Sequence, residues 1–299
     1  MDDKDVIEGY VDKESLESYE YLFSSLYMWR KLNNVKYTII NDALIIEKNE
    51  EGKGTFYAQP MKYSKENLTE LVDALIERNT GYTDREYLFG DVDESFVEDL
   101  KKYTDFKFDI TEDIDDSEYV YSTNDLIELR GKKYHGKKNH VNSFEKSYEY
   151  EVMTINNENV IKDCLELLHK WHEEVAVTVD KEMLMEIDAI KDLFRELHLF
   201  DLKSIAIYVN GELAGFSVGE KVNDRMSVIH VERGEIAFKG IYAFLNRKFL
   251  MESFSDTEFV NRQEDTGNEG LRKAKESYHP VKMVKKYLVN IKTCNTNSH

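Results

Sequence analysis

Residues 204–231 most constrain what this chain can fold into, because they place three β-type runs one after another. In IAIYVNGELAGFSV (205–218) an Asn-Gly pair separates two such runs, the signature of a two-residue hairpin. MSVIHVE (226–232) follows as a third, alternating run. After it, Ile241, Phe244, Leu245 and Phe249 recur at helical spacing. A meander that leads into a helix needs a sheet with that helix on its face, which points to the α/β or α+β class and away from a bundle. The same opening occurs earlier. YTIINDALII (37–46) reads as strand, Asn-Asp turn, strand, then a β-type run and a helix over 64–78 that matches the helix over 240–254. The shared order fits either a weak internal duplication or two turns alike by chance, and 299 residues suffice for two cores.

The expected division is 1–123 and 124–299. Within the first part, residues 15–32 are apolar around most of their circumference (Tyr19, Leu22, Phe23, Leu26, Met28, Trp29) and fit a buried helix better than the alternative of a membrane contact. The second part opens with a basic helical stretch, 125–148, followed by a strand at 150–155 and helices at 159–174 and 181–198. Beyond the meander come a short strand at 257–262, a helix at 269–277 and a last strand at 281–289, with a frayed polar tail.

No run approaches the ~20 apolar residues that span a bilayer, and the opening MDDKDVIEG is acidic where a signal peptide is basic and then apolar. The expectation is a cytoplasmic protein. Its two cysteines, Cys164 and Cys294, have no metal-like spacing, so neither a disulfide framework nor a metal site is expected. A net charge of −19 repels phosphate polymers in general. One local exception is RGKKYHGKKNH (130–140), with five Lys/Arg, two His and no acid.

Three places carry candidate chemistry. On the 226–232 strand, strict alternation puts His230 and Glu232 on one face, where they fit general-base work or a strand end emerging into solvent. Lys239 and Gly240 begin a helix, with Tyr242 following, and fit either an ordinary turn or a helix start whose free amides hold an anion. In VNRQEDTGNEGLRKAKESYHP (260–280) a strand delivers Asn261 and Arg262, a polar turn holds Asp265, and Arg272 and Lys275 are neighbours on a helix whose inward face would be Leu271, Ala274 and Tyr278, the alternative being a salt-bridged surface helix.

These segments, with RGKKYHGKKNHVNSF and IHVERGEIAFKGIYAFLNRKF in that order, resemble the phosphatidylglycerol lysyltransferase C-terminal-domain family over roughly residues 126–289. The resemblance implies tandem GNAT-like mixed sheets flanked by helices, as in the Fem aminoacyltransferases. It also implies acyl transfer to an amine or hydroxyl. The lysyltransferases move an aminoacyl group from charged tRNA to a lipid. Their multi-helix membrane portion is not among these residues. Of the glycine-rich pyrophosphate loop of acetyl-CoA-dependent relatives, only Lys239-Gly240 and Tyr242 remain.

On that footing Glu232, with His230, is the expected base. Tyr278 is the expected acid, because its place after a helix resembles that of the GNAT tyrosine. Lys239, Gly240, Tyr242, Asn261, Arg262, Asp265, Arg272 and Lys275 would hold the donor, and Lys132, Lys133, Lys137 and Lys138 would contact its phosphates. No tightly bound cofactor is expected. The co-substrate would be aminoacyl-tRNA or acyl-CoA, with tRNA as a partner and a small molecule, peptide or lipid headgroup as acceptor. The alternatives are an acetyl-CoA-dependent N-acetyltransferase and a GNAT-fold binding protein without turnover. Arg272→Ala is expected to leave the melting temperature nearly unchanged while lowering activity or donor affinity, because a functional arginine contributes charge rather than core packing. A large loss of stability would instead mark a structural ion pair.

Overall fold

The computed structural model describes residues 3–79, 85–175 and 181–292. They form two compact units, one from 1–12, 20–117 and 284–299, the other from 13–19 and 118–283. Cys294 and the polar tail lie outside the described residues. No helix among the described residues is long and apolar enough to cross a membrane.

In the first unit α1 (Lys4–Tyr10) and α2 (Phe23–Trp29) precede a meander of β1 (Lys36–Ile40), β2 (Ala43–Glu50) and β3 (Gly54–Tyr57). Helix α3 (Leu68–Asn79) then crosses to β4 (Phe89–Val92), which lies parallel to β3, and α4 (Glu94–Tyr103) leads to β5 (Phe108–Ser122). The second unit begins with α5 (Thr123–Glu128), α6 (His135–Ser147), β6 (Tyr150–Met153), α7 (Glu158–Val175) and α8 (Lys181–Arg195). Its meander is β7 (Leu202–Val209), β8 (Glu212–Lys221) and β9 (Met226–Gly234). Helix α9 (Ile241–Ser253) crosses to β10 (Phe259–Asn261), and α10 (Glu269–Glu276) leads to β11 (Lys282–Ile291). Strand order is β1-β2-β3-β4-β11 in the first unit and β5-β10-β9-β8-β7-β6 in the second. Each unit thus repeats meander, crossover helix and parallel strand, the expected GNAT-like mixed sheet flanked by helices.

The two hairpins form for the reason their turns imply. Asn41 and Asp42 have φ of 48° and 62°, and Asn210 and Gly211 have 50° and 80°. Two positive φ values make the turn whose twist matches that of the flanking strands.

Two sequence expectations differ. The helix expected over 15–32 is only α2, because Ser18 Oγ and Tyr19 N donate instead to the buried Glu118 carboxylate, at 2.5 and 3.3 Å. The helix expected over 125–148 breaks where Leu129 and Gly131 take positive φ, giving α5 and α6.

Cores of the two units are separate. Val72, Leu75, Phe89 and Phe96 lead one. Phe144, Ile207, Phe244 and Phe249 lead the other, with the Phe144 and Phe244 rings stacked at 4.4 Å. The first unit also buries a charge network in which Lys48 meets Asp91 at 2.8 Å. The Lys53 ammonium lies among Glu50, Asp91, Asp113 and Asp116, filling the place where those carboxylates converge.

Candidate active site

Strands β9 and β10 run parallel but pair only over Met226–Val228 and Phe259–Asn261. Past Asn261 the chain stays with β5, where Arg262 N donates to Tyr119 O at 2.9 Å and Tyr119 N to Gln263 O at 3.0 Å. Strand β9 meanwhile continues to Gly234. The two strands therefore part, and polar side chains fill the gap. Arg262 Nη2 donates to Glu232 Oε1 at 2.8 Å, and Asn246 Nδ2 of α9 donates to Glu232 Oε2 at 2.9 Å. The Arg262 guanidinium also lies 4.6 Å from the centre of the Tyr278 ring and 5.5 Å from that of Tyr121. Its Nη1 is buried without a hydrogen-bond partner among the described residues.

Lys137 of α6 enters the same cluster, with Nζ 3.7 Å from the centre of the Tyr278 ring. Lys275 of α10 is buried and donates to the carbonyls of Arg262 and Gln263. Three cations thus surround one carboxylate, Glu232. Burial, and then the Arg262 charge, bring both lysines down to about 8. Burial pushes the Tyr278 hydroxyl up to about 12, against the pull of Arg262. Tyr278 therefore keeps its proton at neutral pH, as a general acid must.

The polar turn after β10 is built around Asp265, which is fully buried. Its carboxylate accepts from Arg272 Nε and Nη2 at 2.8 and 2.7 Å, Tyr119 Oη at 2.6 Å and Gly267 N at 2.9 Å. Asn268 caps α10 by accepting from Leu271 N. Because this turn lies under α10, the helix turns its polar side inward. Arg272, Lys275 and Tyr278 face the site; of the inward face expected, Tyr278 is buried but Leu271 and Ala274 are exposed. Asn261 bonds away from the site, to Glu17 O at 3.0 Å and to the Glu118 carboxylate.

His230 and Glu232, placed on one face by simple alternation, have separate partners. Val231 pairs with Val218 and Ile229 with Gly219, so one extra residue of β9 bulges between them. His230 Nε2 meets Glu220 Oε1 at 2.8 Å, while Glu232 meets Arg262 and Asn246.

At the start of α9, Gly240 has φ 93° and a Cβ there would lie 2.3 Å from the His140 carbonyl oxygen. Glycine is thus demanded by the close approach of α6. Gly240→Ala is expected to cost at least 1–3 kcal/mol through clash and backbone strain, read as a lower melting temperature by calorimetry. Unchanged stability would mean that α6 stands off and leaves room for a ligand. Lys239 is exposed, Tyr242 is half-buried, and of the basic run only Lys137 turns inward, Lys132, Lys133 and Lys138 being exposed.

The family model for "Phosphatidylglycerol lysyltransferase, C-terminal" matches residues 13–290. The chain belongs to this family. The match begins far ahead of residue 126, so both units of this lysyltransferase-family chain are part of it. An uncharacterised protein of Mycoplasmoides gallisepticum, MYCGA3080, is 29% identical over 175 residues, 58% of this chain and 56% of that protein, so the alignment spans little more than half of the relative's length. A conserved protein of unknown function from Bacteroides thetaiotaomicron is 29% identical with a TM-score of 0.86, covering 97% of both chains. L-PGS from Bacillus licheniformis shares the fold, with a TM-score of 0.63 at 16% identity over 98% of this chain and 93% of that one.

Two members of the cluster escaped the sequence reading. Asn246 is a polar residue in a helix buried on most sides, and that anomaly was its signal. Tyr121 sits in an ordinary-looking strand, and nothing local marks it.

Proposed function

We propose that this family member is an acyltransferase that moves an aminoacyl group from charged tRNA to an amine or hydroxyl of a small molecule, peptide or lipid headgroup. The observation that carries the reading is the parting of β9 and β10 around Arg262, Glu232 and Tyr278. A gap between parallel strands admits an extended donor. Arg262 and Lys275 put positive charge where an ester oxyanion develops, and Tyr278 offers a proton to the leaving oxygen. Through Arg262, Glu232 and Tyr278 share one cluster, which favours turnover over a binding role alone.

The test is to incubate the purified protein with a mixture of radiolabelled aminoacyl-tRNAs, using ethanolamine as acceptor, and to titrate acetyl-CoA by calorimetry in parallel. Label transferred to ethanolamine supports the reading. Micromolar acetyl-CoA binding without tRNA binding overturns it in favour of an N-acetyltransferase.

The exposed lysines of the basic run fit the donor's phosphates. Within a Debye length of ~8–10 Å their field persists although the chain carries −19 overall. Changing Lys132, Lys133 and Lys138 together to Gln is expected to flatten the slope of log affinity against log salt by about 2. Stability should stay within about 0.5 kcal/mol, because the changes lie on the surface. An unchanged slope would leave these lysines as solvated surface.

A further inference from the structure

Sequence reasoning assigns the base to Glu232, but both of its oxygens are engaged, one by Arg262 and the other by Asn246. A carboxylate that neutralises a buried guanidinium cannot take a proton without stranding that charge. Lys275 donates its ammonium protons to two carbonyls, and His230 is bonded to Glu220. Lys137 differs from all three. It is half-buried and, among the described residues, has neither a hydrogen bond nor an ion pair, only the Tyr278 ring beneath its nitrogen.

We propose that Lys137 is the catalytic base of the acyl transfer, taking the acceptor's proton on Nζ while Tyr278 serves as the acid. This rests on the acyltransferase reading above. The acceptor's nitrogen or oxygen bonds to the donor's ester carbonyl carbon as its proton passes to Nζ. The tetrahedral intermediate then collapses, the ester C–O bond breaks, and the departing ribose oxygen takes the Tyr278 hydroxyl proton. The Lys137 ammonium returns its proton to the phenolate, restoring both groups with no net gain or loss.

The groups that face Nζ are suited to this. Tyr278 follows α10, Arg262 follows β10 and Glu232 belongs to β9. Burial and the Arg262 charge favour the neutral amine, and Glu232 opposes them only in part. On α6 itself, the pair of Glu145 with Arg247 of α9 lies eight residues further along, about 12 Å away by helical rise. At the other end, Lys133 and Tyr134 are paired with Asp125. With a pKa of about 8, roughly a quarter of Lys137 is neutral at about pH 7.5.

Two measurements decide the matter. First, lysine side-chain NMR of the free protein, with Lys137→Arg used to assign the signal, should show Lys137 titrating near 8, where the wild-type rate also rises. Second, Lys137→Arg keeps the charge but cannot act as a base. It is expected to lose about 100-fold or more of the transfer rate, with tRNA affinity and melting temperature retained. Lys137→Ala should regain rate with added primary amines, more for the more basic ones. Titration in the ordinary lysine range overturns the assignment whatever the activity. So does an active Lys137→Arg protein, which would leave Lys137 as a charge on the donor. A wild-type protein that moves no label while Lys137 still titrates near 8 sinks the acyltransferase reading instead.

Discussion

Arg262→Ala is expected to lower stability by about 3–5 kcal/mol and to abolish the proposed acyl transfer. For a unit of this size that corresponds to a fall of roughly 6–20 °C in melting temperature. The cost arises because Glu232, only 11% exposed, would keep its charge and lose the guanidinium opposite it. The rings of Tyr278 and Tyr121 would also lose the cation lying between them. A companion variant separates fold from function. Arg262→Met with Glu232→Leu removes both charges and fills the same space, so stability should largely return while transfer does not. Thermal unfolding and the labelled-tRNA assay read the two effects. A loss of less than 1 kcal/mol in Arg262→Ala would show that water already reaches the pair.

Why some of this was legible in the sequence follows from the distance over which each feature is determined. The Asn-Gly and Asn-Asp hairpins are decided by two residues that tolerate positive φ, so the turns and the meanders they start could be read directly. Arg262, Lys275 and Tyr278 were within reach because a polar run between a strand and a helix stands out locally. The inward face of α10 was not, since Leu271 and Ala274 look apolar and only the carbonyls of Arg262 and Gln263 and the buried Asp265 make the other face the better one to bury. The bulge at His230 depends on the register of β8 against β9, which alternation within one strand cannot reveal. Placement of β11 beside β4 in the first unit is longer-range still. It joins segments almost two hundred residues apart, as Tyr287 pairs with Val92. Lys137 lay in a run of like-charged neighbours, and only the packing of α6 shows which one turns inward.

Arg272→Ala is expected to cost about 3–5 kcal/mol, the outcome of a buried ion pair. The geometry points against the unchanged stability expected from the sequence, because Arg272 forms a two-pronged contact with a carboxylate that has no exposure of its own. Truncation would strand Asp265 with only Tyr119 and the Gly267 amide, and the turn that carries Arg262 and Gln263 into the site would loosen with it. The pH dependence supplies a second signature. Burial alone would raise the Asp265 carboxyl, but the bonds from Arg272, Tyr119 and Gly267 outweigh it and hold the group below its usual range. A depressed pKa contributes stability that is fully present above the unfolded value of about 4 and is lost as pH falls through the folded one. The gap in melting temperature between wild type and Arg272→Ala should therefore be widest near neutrality and close as pH drops from about 5 towards 3. Melting curves over that range test both points. A variant that melts with wild type at neutral pH but transfers label more slowly would instead make Arg272 a donor contact, with its pairing to Asp265 surrendered when the donor binds.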